Sequence, residues 1–221
     1  QYHSVYYHEL GTPQAQDKLV FRDDKNPDHY HYGGVSEDGD YFVMYDAPGT
    51  DGFATYYKDL KKDGDFVALF PGYKNKSNIV HNIGTKMLVL TDIDAPKYRL
   101  VEVDINKPGK ENWKEIIPES DNLLQSVSSG GGYLFANYLE NATDRYYQMA
   151  YDGSNKKAIE LPGTGSAGGL GGKEEDTVLF YTFTSFTYPP TIFKYNVKEG
   201  TSEPFYRAEL KFNPEDYVET Q

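Results

Sequence analysis

Cysteine is absent from the 221 residues, and tryptophan occurs only once. Without cysteine the chain can form no disulfide, offers no thiolate nucleophile and provides no Cys ligand for zinc. Basic residues are also few, because 22 Lys and Arg are outnumbered by 34 Asp and Glu, which gives a net charge of −12. With that charge and no Lys/Arg cluster, the chain is a poor partner for nucleic acid.

Long apolar runs are absent as well. No stretch approaches the ~18 apolar residues that a membrane span requires, and no charged-then-apolar leader opens the chain. We therefore expect a soluble protein without a membrane partner. The first residues, QYHSVYYHEL, read as strand from the start and lack an initiating Met. That pattern predicts a cut or trimmed N-terminus.

Aromatic and turn-forming residues are abundant. The chain has 21 Tyr, 12 Phe, 21 Gly and 12 Pro. So many large apolar faces argue against disorder, and the glycine and proline content is typical of an all-β protein with many turns. No helical periodicity of any length occurs, so no α/β domain is expected in this chain.

Pairs of β-rich runs recur along the chain, and each pair reads as a hairpin. In the clearest example, residues 177–197, runs of β-branched and aromatic residues flank Pro189 and Pro190. Proline cannot supply a ladder N–H, so the pair must lie between strands. Four such hairpins are spaced 45, 47 and 44 residues apart. Their first residues are Tyr41, Lys86, Tyr133 and Thr177.

A period near 45 with four short strands per unit indicates β-propeller blades, whereas a two-sheet sandwich does not repeat in groups of four. We predict an all-β fold of about four and a half four-stranded blades. The outer half blade is expected at 1–21, complete blades at 29–70, 78–117, 123–161 and 163–207, and an exit segment at 208–221. An unclosed ring leaves open edges, so the chain is expected to be part of a larger propeller and prone to self-association.

A serine nucleophile would need a Gly-x-Ser-x-Gly elbow between a strand and a helix. The nearest approach surrounds Ser166, but the spacing differs and no helix follows. The run 163–172 instead fits a glycine-rich inner strand, because small side chains let backbones approach closely. We do not expect Ser166 to be a nucleophile.

His29 and His31 would share one face of a strand, with Asp28 beside them, so a metal site is conceivable. The pattern places no third ligand, and an aromatic-rich surface or channel lining is the favoured interpretation. The runs 38–40 and 92–94 resemble fragments of a calcium loop but lack the distal Glu, so turns are expected there. We expect neither a metal nor a cofactor.

The aromatic side chains admit two interpretations. They could form a carbohydrate or peptide platform, since aromatic faces give contact area at low entropy cost. Packing between blades is the favoured explanation. Asn75 and Asn141 each begin a glycosylation sequon, which matters only in a eukaryotic secretory pathway.

Four segments together resemble the propeller of the prolyl oligopeptidase (prolyl endopeptidase) family. They are YYHELGTPQAQDKLVF at 6–21, DAPKYRLVEVDINKPGKENWKEIIPE at 94–119, FTSFTYPPTIFKYN at 183–196 and FNPEDYVETQ at 212–221. Their order and spacing fit the family along essentially the whole chain. The runs GGGY at 130–133 and LPGTGSAGGLGG at 161–172 are most similar to bacterial members of the Bacteroidetes type.

In that family a seven-bladed, unclosed propeller caps an α/β-hydrolase domain, whose Ser-Asp-His triad cleaves short peptides after proline. The resemblance implies that this chain covers the later blades and stops before the hydrolase domain. It therefore implies no catalytic residue here and no activity of the chain alone. It does imply substrate contacts at Tyr30 and Thr50, by alignment on Ser36 to Gly39 and Tyr41.

By the same resemblance, the expected role is to gate access of substrate to the hydrolase domain of the same protein. The expected ligands are short proline-containing peptides. The periplasm of a bacterium is favoured over the cytoplasm. The alternative is a stand-alone propeller that binds peptides, glycans or a protein partner, and sequence beyond Gln221 would distinguish the two.

Overall fold

A computed structural model of the chain describes residues 3–207, and the predicted exit segment at 208–221 lies outside the described residues. Strands dominate this part of the chain, which also contains 3-10 turns at Gln14–Gln16 and Lys110–Asn112. The strands are β1 Ser4–Tyr7, β2 Lys18–Arg22, β3 Tyr30–Val35, β4 Tyr41–Ala47, β5 Ala54–Asp59, β6 Val67–Phe70, β7 Ser77–Ile83, β8 Lys86–Thr91, β9 Arg99–Asp104, β10 Lys114–Ile117, β11 Leu123–Gly130, β12 Tyr133–Glu140, β13 Thr143–Met149, β14 Lys157–Ile159, β15 Ser166–Gly168, β16 Val178–Thr184, β17 Thr191–Asn196 and β18 Thr201–Arg207.

These strands form one two-stranded and four four-stranded antiparallel sheets, which confirms the all-β prediction. The pair β1–β2 stands first, followed by the first sheet (β3–β6), the second (β7–β10), the third (β11–β14) and the fourth (β15–β18). In every sheet the strands keep their order in the sequence. Within residues 3–207 no helix is long and apolar enough to cross a membrane.

The chain divides into two compact units, and each has its own core. Of the described residues, the first unit comprises 3–96 and 101–114. Its core combines aromatic and aliphatic side chains of β4, β6, β8 and β9, and its members in β8 and in β9 are two residues apart, so that they share one face of the sheet. The buried members are Tyr41, Leu69, Phe70, Met87, Val89, Val101 and Val103. Trp113 packs at the margin of this core, with its ring centroid 5.7 Å from that of Phe70.

The second unit comprises the described residues 97–100 and 115–207. Its core is largely aromatic: Tyr181 stacks on Phe193 at 5.1 Å between centroids, and Phe135 meets Tyr195 edge to face at 5.9 Å. These rings are almost completely buried. Burial of this kind supports packing, rather than a ligand platform, as the main use of aromatic residues here.

The first strand of the fourth sheet is shorter than the sequence suggests. A strand was expected over 163–172, yet only Ser166–Gly168 pairs with β16. Ser166 is exposed within this strand. A glycine-rich run offers few side chains to pack and loses much entropy on ordering, which explains why the ladder ends early.

The turn between β12 and β13 contains a strained alanine. Asn141 and Ala142 are its two central residues, with φ of 50° and 60°. Positive φ at both positions defines the turn that Asn-Gly fits best, and alanine there pays a steric cost. We expect Ala142→Gly to raise the free energy of unfolding by about 0.5–1 kcal/mol, the steric relief outweighing the extra flexibility of the unfolded chain.

Urea unfolding followed by circular dichroism would measure this change. Ala158→Gly is the matched control, because Ala158 is exposed in β14 and is not among the positive-φ residues. Glycine in a strand is unfavourable, so the control should lose about 0.5–1 kcal/mol. Destabilisation by both variants would show that the turn is not strained.

Candidate functional site

One edge of the first sheet collects the residues that the sequence singled out. Here β3 begins and β4 ends, since Tyr30 pairs with Ala47. The loop 48–53 joins β4 to β5 at this edge, and the connection 71–76 leaves β6 from it. We refer to residues 29–31, 46–53 and 71–76 as the Tyr30 edge.

Tyr30 and Thr50 both lie at the Tyr30 edge. Tyr30 is 61% exposed although it stands at the start of a strand, and its ring meets that of His3 edge to face at 5.8 Å. Thr50 is exposed in the loop 48–53. The Tyr30 edge therefore offers one aromatic face and one hydroxyl to a molecule that approaches it.

The loop that carries Thr50 is held by backbone contacts. The amide of Phe53 donates to the carbonyl of Asn75 at 3.1 Å. A Cβ on Gly52 would lie 2.4 Å from the carbonyl oxygen of Tyr73, so only glycine fits there without a shift. These contacts tie the loop 48–53 to the connection 71–76, and both border a cavity of about 270 Å³ that Phe53, Phe70, Tyr73, Asn75 and Ile93 help to line.

A buried carboxylate organises the same edge. The side chain of Asp46 is only 5% exposed. Its Oδ1 lies 2.8 Å from His29 Nδ1 and 3.2 Å from His31 Nε2, and its Oδ2 accepts a hydrogen bond of 2.8 Å from the Tyr73 hydroxyl. Three polar groups from two segments thus converge on one acid, which fixes the start of β3 and the connection 71–76 relative to the end of β4.

His31 is anchored a second time, by His3. Its backbone amide donates to His3 Nδ1 at 2.8 Å, and its own Nδ1 lies 3.0 Å from the His3 carbonyl oxygen. The rings of His3 and His31 stack with centroids 6.1 Å apart. Because side chains alternate along a strand, His29 and His31 point inward and Tyr30 between them is turned outward.

The hydroxyl of Tyr73 stays protonated to high pH. Burial and, after it, the hydrogen bond to the Asp46 carboxylate raise the pKa of Tyr73 well above its usual value. Tyr73 is therefore a permanent donor near neutral pH. Its ring also meets that of His29 edge to face at 5.2 Å.

The preferred interpretation of His29 and His31 as surface or channel lining is wrong, since their exposures are 9% and 2%. The acid that they contact is Asp46, while Asp28, which the sequence placed beside them, is exposed. Among residues 3–207 no cluster of three or more His, Cys, Asp or Glu is arranged to hold a metal ion. Asp46 was missed, although a carboxylate inside an apolar strand signals a specific partner.

The two calcium-loop fragments are turns that hydrogen-bond to themselves and their neighbours. Asp38 accepts from the Ser36 hydroxyl at 2.6 Å and from the amide of Asp40 at 3.0 Å, and these bonds help to lower the pKa of Asp38 although burial opposes them. Asp92 accepts from the amide of Lys76 at 2.8 Å. Asp94 forms an ion pair with Lys110.

Comparison with known proteins identifies the family. The model for "Prolyl oligopeptidase, N-terminal beta-propeller domain" matches residues 1–208. The chain belongs to the prolyl oligopeptidase family. It is 42% identical over 219 residues to a prolyl endopeptidase of Elizabethkingia meningoseptica, covering 99% of this chain and 31% of that relative. It thus spans about a third of the length of the curated relatives that it matches.

Solved structures of the prolyl oligopeptidase family share the fold, which confirms the β-propeller prediction. A structure from a study of two prolyl endopeptidases superposes with a TM-score of 0.88 at 36% identity, covering 97% of this chain and 32% of that one. Prolyl oligopeptidase B from Galerina marginata, bound to a 35mer hydrolysis and macrocyclization substrate, gives a TM-score of 0.86 at 24% identity over 96% of this chain and 31% of that one. The second likeness concerns the fold alone.

Proposed function

We propose that this chain is the substrate-gating propeller portion of a serine-type prolyl oligopeptidase that cleaves short peptides after proline. The match of residues 1–208 to the propeller domain of that family carries the proposal. The blades would lie at 29–70, 78–117, 123–161 and 163–207, after an outer half blade at 1–21 and before an exit segment at 208–221. The triad and the α/β-hydrolase domain would belong to other parts of the protein, which would act in the bacterial periplasm or cytoplasm.

The Tyr30 edge suits a gate that also contacts substrate. Tyr30 presents an aromatic face, which binds apolar and proline side chains at low entropy cost. Thr50 adds a hydroxyl in the neighbouring loop. The network around Asp46 keeps the backbone on both sides of Tyr30 in place, so the ring is held in position before substrate arrives.

The chemistry would take place in the hydrolase domain, and the propeller would act by exclusion and contact. When the two domains close, water and large proteins are kept from the serine nucleophile, and residues of the peptide upstream of the proline meet the propeller wall. A study of two prolyl endopeptidases concerns the role of inter-domain dynamics in catalysis and specificity, which is the behaviour that this proposal extends to the present chain.

Kinetics of the protein that carries both this chain and the hydrolase domain test the proposal. With a Gly-Pro chromophore substrate extended by apolar residues, Tyr30→Ala should raise KM about 3–10-fold and change kcat little, because a contact worth about 1 kcal/mol is lost. Tyr30→Phe should behave as the parent. Tyr6→Ala is the matched control, since Tyr6 is 54% exposed in β1, outside the Tyr30 edge.

An unchanged KM for Tyr30→Ala would remove Tyr30 from the substrate site. Absence of any Pro-specific cleavage by the longer protein would contradict the proposed function itself. The alternative would then be a binding module for peptides, glycans or a protein partner.

A further inference from the structure

A second cavity, of about 410 Å³, lies in the second unit, where β10 faces the sheet face formed by β12 and β13. Its walls include Ile117, Tyr138, Glu140, Tyr147 and Lys156, and Ser120 and Asn122 add polar groups at the rim. All of its lining residues belong to the second unit of this chain. The volume falls within the range of ~300–1,000 Å³ that small ligands occupy.

Two aromatic rings and one ammonium group meet in this cavity. Lys156 Nζ lies 4.1 Å from the centroid of the Tyr147 ring and 4.7 Å from that of Tyr138. The two rings are edge to face at 5.7 Å. Lys156 is an exposed residue, yet partial burial lowers the pKa of its ammonium group by desolvation. Contact with two rings holds the group in one place.

The cavity holds one charge of each sign, and neither is neutralised by a neighbour. Of the described lining residues, Lys156 is the only base and Glu140 the only acid. Within residues 3–207 the side chains of Lys156 and Glu140 form no hydrogen bond or ion pair, with each other or with any other residue. Other charged side chains of the chain are commonly paired at 2.6–3.5 Å.

A partly desolvated, unpaired cation beside aromatic walls stabilises an incoming anion, and an unpaired carboxylate in the lining of the same cavity stabilises a cation. We propose that this cavity binds a short zwitterionic peptide, with its terminal carboxylate on Lys156, its terminal ammonium on Glu140 and an apolar side chain against Tyr138 and Tyr147. This site lies outside the Tyr30 edge, and the proposal does not rest on the proposed peptidase function.

Calorimetric titration of the 221-residue chain with glycyl-phenylalanine tests the site, since this dipeptide has no proline for a prolyl-specific site to select. Saturable binding is expected, and both N-acetyl-glycyl-phenylalanine and glycyl-phenylalaninamide should bind at least ~5-fold more weakly because each lacks one terminal charge. The capped peptides test the charge pairing on the parent chain, whether or not any variant folds.

Two variants then assign the charges, after circular dichroism has shown that they are folded. Lys156→Gln should abolish the preference for the free carboxylate, and Glu140→Gln the preference for the free ammonium group. Lys157→Gln is the matched control, because Lys157 is not among the residues that line the cavity. Its Nζ lies near Gly200, 2.5 Å from the position that a Cβ on that glycine would occupy. Absence of saturable binding, equal binding of the capped peptides, or preferences that survive both variants would each overturn the proposal.

Discussion

Asp46→Ala is expected to lower the free energy of unfolding by about 3–5 kcal/mol, one of the two largest losses that we predict. The substitution removes the common neighbour of His29, His31 and Tyr73, and leaves the buried His29 Nδ1 and the Tyr73 hydroxyl without their hydrogen bonds to the carboxylate. Trp113 is the only tryptophan of the chain and packs on the core of the same unit, so its fluorescence during urea unfolding reports on the unit directly.

Two controls separate loss of the network from loss of a charge. Asp51→Ala removes an acid from the exposed part of the loop 48–53 and should cost less than about 0.5 kcal/mol. Tyr73→Phe removes one hydrogen bond and should cost about 1 kcal/mol. If Asp46→Ala costs no more than Tyr73→Phe, the carboxylate does not organise the Tyr30 edge.

Gly131→Ala should destabilise the second unit by about 3–4 kcal/mol. Gly131 has φ of +57°, where any other residue is strained. A Cβ would also lie 2.6 Å from the carbonyl oxygen of Asp176 and 2.9 Å from Val197 Cγ1, and the first of these is backbone that cannot turn away. Strain and overlap therefore add up at this position, and urea unfolding followed by circular dichroism measures the sum.

Gly84→Ala isolates the strain, because Gly84 has the same φ of +57° in the turn between β7 and β8 and a Cβ there meets nothing within 4 Å. This variant should cost about 1 kcal/mol, the left-handed conformation alone. The difference between the two variants is then the cost of the close approach at Gly131. Equal losses would mean that Asp176 and Val197 move aside.

The positions of the strands could be predicted from the sequence because the residue patterns that indicate a strand or a turn are local. The hairpin starts Tyr41, Lys86 and Tyr133 are the first residues of β4, β8 and β12. β-branched and aromatic residues alternate there, and Gly, Asp and Pro mark the turns, so neighbouring residues suffice for the prediction. The prediction of a strand over the whole run 163–172 was wrong in its length, because glycine permits a strand without favouring one.

The network at the Tyr30 edge was not accessible in this way. Asp46 and His29 are 17 residues apart, and Tyr73 is a further 27 from Asp46, so their meeting depends on the register of β3 on β4 and on the path of the connection 71–76. A spacing of two residues showed that His29 and His31 share a face. It could not show that the face is buried, which only the packed sheet decides.

In each four-stranded sheet every strand pairs with the strand that precedes or follows it in the sequence. A sheet of this kind is complete once its own four strands exist, without waiting for a distant segment. During synthesis at the ribosome, the four-stranded sheets can therefore form one after another as they emerge, and the two inner strands of each sheet are paired on both sides before the next sheet is made. Short contact range thus protects a strand-rich, aromatic nascent chain from aggregation.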